Sequence, residues 1–262
     1  MNIKFLTGLL AAVAMTGSLL EAAPASAFSW NNSWTQSPIL SKAQTGFDDT
    51  PFQAFVQPER MEMVNVGQLL LDPTKLKLKA DYEVKVHFIN EGASYRNQLA
   101  YEATGTTNRT GLIFNDTSDD VLGYGDRVNL GLLTAGTQLD FWLRADGKNR
   151  GDSANIFGTK TTSNADQLQH VFASSYKNYL VLGFEDLYGA LGAWGQDPNT
   201  GLWNESSDRD FNDAVFVVDL GEENIKALNA AAVPEPSITL GLLGMGAAGL
   251  TSLRRRQKSA VS

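Results

Sequence analysis

An all-β domain folded as an antiparallel β-sandwich or jelly-roll is the architecture this sequence predicts, and three observations predict it. Period-two alternation is plain from Asp81 onward, clearest where Tyr82, Val84, Val86 and Phe88 alternate with Glu83, Lys85, His87 and Ile89. Clusters of Gly, Asn, Asp and Ser recur at short intervals and cut the apolar runs to strand length. Between the two ends of the chain no stretch shows a convincing helical period.

The domain is expected over residues 81–220. Asp81 to Ile89 reads as a half-buried strand with one mostly polar face, stopped by Asn90-Glu91-Gly92. Gln98 to Ala103 alternates again through Leu99 and Tyr101. Turn residues at Thr104–Gly111, Asn115–Asp120 and Gly123–Asp126 bracket two short β-prone runs, Leu112-Ile113-Phe114 and Val128 to Leu133. In Thr137–Arg144, Leu139, Phe141 and Leu143 share one side and Asp140 and Trp142 the other. Beyond a polar turn at Asp146–Gly151, the runs His170–Ser174, Tyr179–Phe184 and Ala214–Leu220 are further strands. Residues 28–80 read as an irregular N-terminal extension, and 221–233 as a linker with room for one turn of helix at Glu223–Ala231.

Both ends are addresses rather than core. Lys4, the apolar run Phe5–Met15 and Ala25-Ser26-Ala27 before Phe28 compose a secretory signal peptide over 1–27, with Ala25 and Ala27 flanking the cleavage site and Phe28 following it. At the other end, Val233-Pro234-Glu235-Pro236-Ser237 leads into an uncharged segment, 238–253, and then Arg254-Arg255-Arg256-Gln257-Lys258. As a helix, Ser237–Leu253 would span ~25 Å, the short end for a bilayer core, with the arginines on the cytoplasmic side. Over 234–258, this order of parts resembles the PEP-CTERM sorting signal of bacterial exported proteins, in which Pro234, Glu235 and Pro236 would mark the processing site. The resemblance implies a membrane exosortase as partner, a C-terminal transmembrane sorting helix held only transiently in the inner membrane, and a final place in the cell envelope or outside the cell.

Composition narrows the partners. Removing Glu21 and Glu235 from the 29 acidic residues, and Lys4, Arg254, Arg255, Arg256 and Lys258 from the 21 basic ones, leaves a body charge near −11. A body that acidic is no partner for nucleic acid or an anionic membrane, whereas divalent cations suit it. Cysteine is absent, so no disulfide staples the exported domain. With only two histidines besides, zinc and copper lack ligands.

The densest oxygen-donor run is Asn204-Glu205-Ser206-Ser207-Asp208-Arg209-Asp210-Phe211-Asn212-Asp213, with Glu185 and Asp186 upstream at a strand end. Asp208, Asp210 and Asn212 at alternate positions suit a hard cation such as Ca²⁺. They occupy the first, third and fifth places of an EF-hand loop, but Asp213 stands where that turn needs Gly and strand residues follow. Asp116-x-Ser118-x-Asp120 is a weaker echo. Spacing alone leaves a cation loop and a polar hairpin turn both open.

Leu182-Gly183-Phe184-Glu185-Asp186-Leu187, a Gly-rich spacer, and Ser207-Asp208-Arg209-Asp210-Phe211-Asn212-Asp213-Ala214-Val215-Phe216 together resemble the signature of the domain of unknown function 4114, over about 123–220. The resemblance implies an exported, calcium-bound β-domain. The metal set expected is Glu185, Asp186, Asp208, Asp210, Asn212 and Asp213. If 208–213 is strand-like, Asp208, Asp210 and Asn212 share the ion-facing side, Phe211 enters the core and Asp213 takes a backbone or Arg partner.

Three function classes remain. A glycoside hydrolase would pair Glu185 or Asp186 with Asp208 or Asp210, although carboxylates so crowded more often share a cation. Neither His87 nor His170 lies beside a nucleophile motif; each is expected to be solvated or simply hydrogen-bonded. A carbohydrate-binding module would use Trp194 and Trp203 to stack on extracellular polysaccharide, unless they only anchor a long loop to the sandwich. A non-enzymatic envelope or matrix protein with a calcium-stabilised domain fits the acidity, the strands and the tail, and is the reading preferred.

Overall fold

The computed structural model describes residues 28–56, 71–118 and 120–232. Ala25 and Ala27 of the signal peptide, the motif Pro234-Glu235-Pro236, the segment 238–253 and Arg254, Arg255 and Arg256 lie outside the described residues. Among those described, no helix is long and apolar enough to cross a membrane.

In chain order the strands are β1 (Tyr82–Asn90), β2 (Gln98–Thr104), β3 (Arg109–Phe114), β4 (Arg127–Leu133), β5 (Gln138–Arg144) and β6 (Ile156–Gly158). They continue as β7 (Val171–Tyr176), β8 (Tyr179–Phe184), β9 (Trp194–Gln196), β10 (Trp203–Glu205) and β11 (Ala214–Asp219). The α-helices are α1 (Lys42–Thr45), α2 (Gly147–Arg150) and α3 (Glu222–Ala232). A five-stranded sheet, β4-β1-β11-β8-β7, packs on a four-stranded one, β3-β2-β5-β6, while β9 and β10 pair by themselves. Adjacent strands are antiparallel, so the predicted all-β sandwich is what forms.

Alternation puts the core where the sequence places it. Val84, Val86 and Phe88 of β1 meet Leu99 and Tyr101 of β2 and Leu139, Phe141 and Leu143 of β5 in one buried cluster. The outer face of β1 is polar only at its start: Glu83 is exposed, but His87 and Ile89 are buried. The extension at 28–80 explains this. Its described part carries no strand, yet Phe52 joins Ile89, Val181, Val215 and Val217 in a second apolar cluster, with Phe47 and Phe55 packed against it. The Phe47 ring stacks on His87 at 3.7 Å, so of the two states expected for His87, solvated or hydrogen-bonded, solvation is ruled out. Burial pushes its pKa down to about 4.

The expected linker at 221–233 is, over its described residues 221–232, likewise part of the fold. Gly221 turns the chain at φ +78°, where a Cβ would strike the Tyr82 ring, and α3 folds back onto the sandwich. Ile225 and Leu228 enter the main core. The Asn224 amide oxygen accepts from the backbone N–H of Lys79 and Ala80 at 2.7 and 2.8 Å, joining the helix to the chain before β1.

Candidate metal centre

The site is built by the pairing of β8 and β11. Phe184 lies opposite Ala214 in that ladder, so Glu185, just past the end of β8, and Asp213, just before β11, are neighbours. The long spacer between the acidic blocks does not keep them apart, because residues 194–205 leave the sandwich as the separate β9–β10 hairpin. Gly183 allows the return: a Cβ there would lie 2.4 Å from the Phe211 carbonyl oxygen, so the Asp208–Asp213 loop crosses where only glycine fits.

Glu185, Asp210 and Asp213 each bring a carboxylate oxygen to within 4.8 Å of the others, and all three are buried. Glu185 is 0% exposed and neither of its carboxylate oxygens has a hydrogen-bond partner. The Ser207 hydroxyl lies near enough to favour the charged carboxylate, but no bond of normal geometry joins them. Asp213 accepts the backbone N–H of Asp186 at 2.8 Å, and Asp210 that of Asn212 at 3.1 Å. Arg209, the only basic residue of the run, donates to the Gln169 carbonyl and lies over the Phe211 ring at 5.0 Å.

The electrostatics follow from burial. Desolvation pushes the Glu185 pKa up to about 7, with the charges of Asp208 and Asp210 adding and Ser207 and Arg209 opposing. Asp213 is raised well above the usual carboxylate range by burial first, then by Asp186 and Glu185. Asp186 is raised by burial and by the charges of Glu185, Glu205 and Glu91, partly relieved by the Asn97 amide. Without a cation all three shift toward the protonated form, Glu185 with its midpoint at about 7; a hard cation among them would displace protons and draw on the unused oxygens of Glu185.

The expected division of the loop needs correction. Ser206, Arg209 and Phe211 have φ of 62°, 59° and 57°, a left-handed conformation that costs a non-glycine residue roughly 1–2 kcal/mol. These turns curl the segment, so Asp208, Asp210 and Asn212 are not ranged along one strand face. Asp210 and Asp213 converge on Glu185 instead. Asp213 does take a backbone partner, as expected. Asp186 turns to Asn97 at 2.6 Å and, with the half-buried Asp208, lines an adjoining cavity of about 250 Å³ that reaches Tyr95. Asn212 is buried beside the cluster, its carbonyl accepting from Gly92. The echo at Asp116 is closed by other means: that carboxylate takes the Ser118 hydroxyl and the Arg96 guanidinium.

Two supports gave no sequence signal. His170, expected to be solvated or simply hydrogen-bonded, is fully buried; Nδ1 meets the Glu185 carbonyl at 2.8 Å and Nε2 the Asp166 carboxylate at 2.9 Å. Asn97 bridges Asp186 to the backbone of Asp146. Their contacts to the acidic blocks, His170 with Glu185 and Asn97 with Asp186, span 15 and 89 residues of sequence, so only the fold reveals them.

Residues 133–221 match the family described as Domain of unknown function (DUF4114), and residues 232–256 match the PEP-CTERM protein-sorting motif. The first match runs from the end of β4 through β11 and contains both acidic blocks, but not β1, β2 or β3. No curated protein and no solved structure matches the chain.

Proposed function

From a chain that carries the PEP-CTERM motif, and is thus exported and processed by an exosortase, we propose a non-enzymatic protein of the cell envelope or extracellular matrix whose β-sandwich is stabilised by calcium. One observation carries the reading: the Glu185 carboxylate is sealed from solvent, lacks any hydrogen-bond partner, and stands within 4.8 Å of the Asp210 and Asp213 carboxylates. Ionised carboxylates at such spacing repel in a low-dielectric interior, and a divalent cation relieves that. An all-oxygen donor set without cysteine favours Ca²⁺, which accepts irregular cages of about 6–8 oxygens, over Zn²⁺. Glu185, Asp210 and Asp213 would hold the ion; its role is to neutralise and to tie the loop before β11 to the end of β8.

A glycoside hydrolase acid must reach a substrate in an open cleft, which the enclosed Glu185 cannot do, so that reading would have to rest on Asp186 and Asp208 at the adjoining cavity. Calorimetric titration of the exported chain with Ca²⁺ tests the proposal. One site per chain is expected, with Asp210→Asn plus Asp213→Asn abolishing the heat; absence of heat in the unaltered chain up to millimolar Ca²⁺ rejects it. A second reading, a lectin-like module, is favoured by the exposure of Trp194 and Trp203.

A further inference from the structure

We infer that the β9–β10 hairpin is a preformed binding platform for a neutral glycan, with Trp194 and Trp203 as its two stacking surfaces. This deepens the lectin-like reading and does not require calcium. The opposed pairs Trp194–Glu205 and Gln196–Trp203 place four side chains on one face of the ribbon and leave Gly195 and Asn204 on the other. Asn204 faces the body, where it donates to the Gly195 carbonyl and packs so close to Gly189 that no Cβ fits there. On the opposite face the two indoles project outward, while Glu205 bends back to Tyr188 and Arg150. Trp194 is 78% exposed and Trp203 68%, so neither anchors the hairpin to the sandwich.

The hairpin is held by other bonds. Tyr188 is completely buried, and its hydroxyl engages Asp197 and Thr200 at 2.9 and 2.6 Å across the turn. Its backbone N–H donates to the Glu205 carboxylate, which also pairs with Arg150 at 3.0 Å. Backbone bonds from Gly192 to Ser207 and from Ser206 to Ala193 close the base. A bonded ribbon that leaves its two largest apolar side chains in water presents a surface built for contact.

Chemistry selects the occupant. Two indoles present at most about 250 Å² each, well short of the ~800 Å² per partner of a stable protein interface, so a second copy of the chain is too large a guest. An anionic lipid surface or nucleic acid would need a basic rim, whereas the chain carries a net charge of −8 and the hairpin turn carries Asp197. A pyranose fits: its C–H face is apolar and weakly positive, matching the negative face of an indole. Glu205, opposite Trp194 in the ladder and paired with Arg150, offers a partner to sugar hydroxyls. Diagonal positions on paired strands lie about 7–8 Å apart, so one oligosaccharide can engage both rings.

Affinity electrophoresis of the full exported chain through gels containing neutral β-glucan, mannan or cellulose derivatives tests this, with fluorescence titration by glucan oligomers of one to six units. Retardation by at least one neutral polymer is expected, with affinity rising with oligomer length. Trp194→Ala and Trp203→Ala should each weaken binding about tenfold, as truncation of a tryptophan anchor does, without changing the melting temperature, and the double variant should not bind. Repeating the titration in chelator separates the site from the calcium reading, because the platform should still bind. No retardation by any neutral polymer, wild-type binding by the double variant, or dimerisation abolished by the same substitutions would overturn the inference.

Discussion

Asp186 donates its backbone N–H to the carboxylate of Asp213 at 2.8 Å, joining two acidic blocks whose bonded residues are 27 positions apart. The bond sits at the end of the β8–β11 ladder, and the Glu185–Asp210–Asp213 cluster forms around it. Strand pairing thus sets which carboxylates meet, and their burial sets what they need.

Glu185→Gln should act in opposite directions with and without calcium. In chelator it removes a buried, unpartnered carboxylate, so the melting temperature should rise, by about 2–4 °C for each kcal/mol gained in a domain of this size. In millimolar Ca²⁺ the variant should lose the calcium-induced rise, which for the unaltered chain is about 2.7 kcal/mol at a hundredfold excess over Kd. Differential scanning calorimetry reads both. A variant that melts lower in chelator and still responds to calcium contradicts the proposed site.

The calcium-free chain should be less stable at pH 7.5 than at pH 5. Glu185 holds its proton up to about pH 7 when folded against 4.5 for its ordinary value. The native state therefore binds the extra proton between those values, and stability falls as pH rises through them. Asp186 and Asp213 shift the same way. Saturating calcium should remove that slope, and its affinity should grow over the same interval as protons cease to compete. Urea denaturation at a series of pH values, with and without the ion, checks both.

Asn97→Ala should destabilise the chain by about 1–3 kcal/mol. It leaves the wholly buried Asp186 carboxylate without its amide donor and frees the Asp146 N–H bonded to the Asn97 oxygen. Denaturant midpoints measure the loss, and a change within experimental error would show that the bridge contributes nothing.

Gly183→Ala should abolish the calcium response while leaving the sandwich folded. The added methyl would sit 2.4 Å from the Phe211 carbonyl, so the loop carrying Asp210 must move off the end of β8. Far-ultraviolet circular dichroism should retain its β signature while calorimetric calcium binding falls at least tenfold. Unchanged binding would mean that the crossing tolerates displacement.

Much of this was legible in the residues. Tyr82, Val84, Val86 and Phe88 announce the core face of β1, because a strand buried on one side must alternate. The acidic blocks reveal themselves by composition, and strand candidates beside each bring them together. Three things were not readable. A turn of helix at Glu223–Ala231 was legible, but not that α3 docks, because it offers only Ile225 and Leu228 to the core, among alanines and asparagines that mark no clear apolar face. β9 and β10 are three residues each, too short to alternate visibly. The loop faces were misassigned because Ser206, Arg209 and Phe211 adopt positive φ, and nothing in these residue types signals it.

The most direct measurement is a crystal structure of the chain grown in calcium, with anomalous data to identify the ion. Density among Glu185, Asp210 and Asp213 with oxygen ligands at about 2.3–2.6 Å is the expected result. Carboxyl groups instead bonded directly to one another through a shared proton, with calcium in the mother liquor and no ion between them, would contradict it.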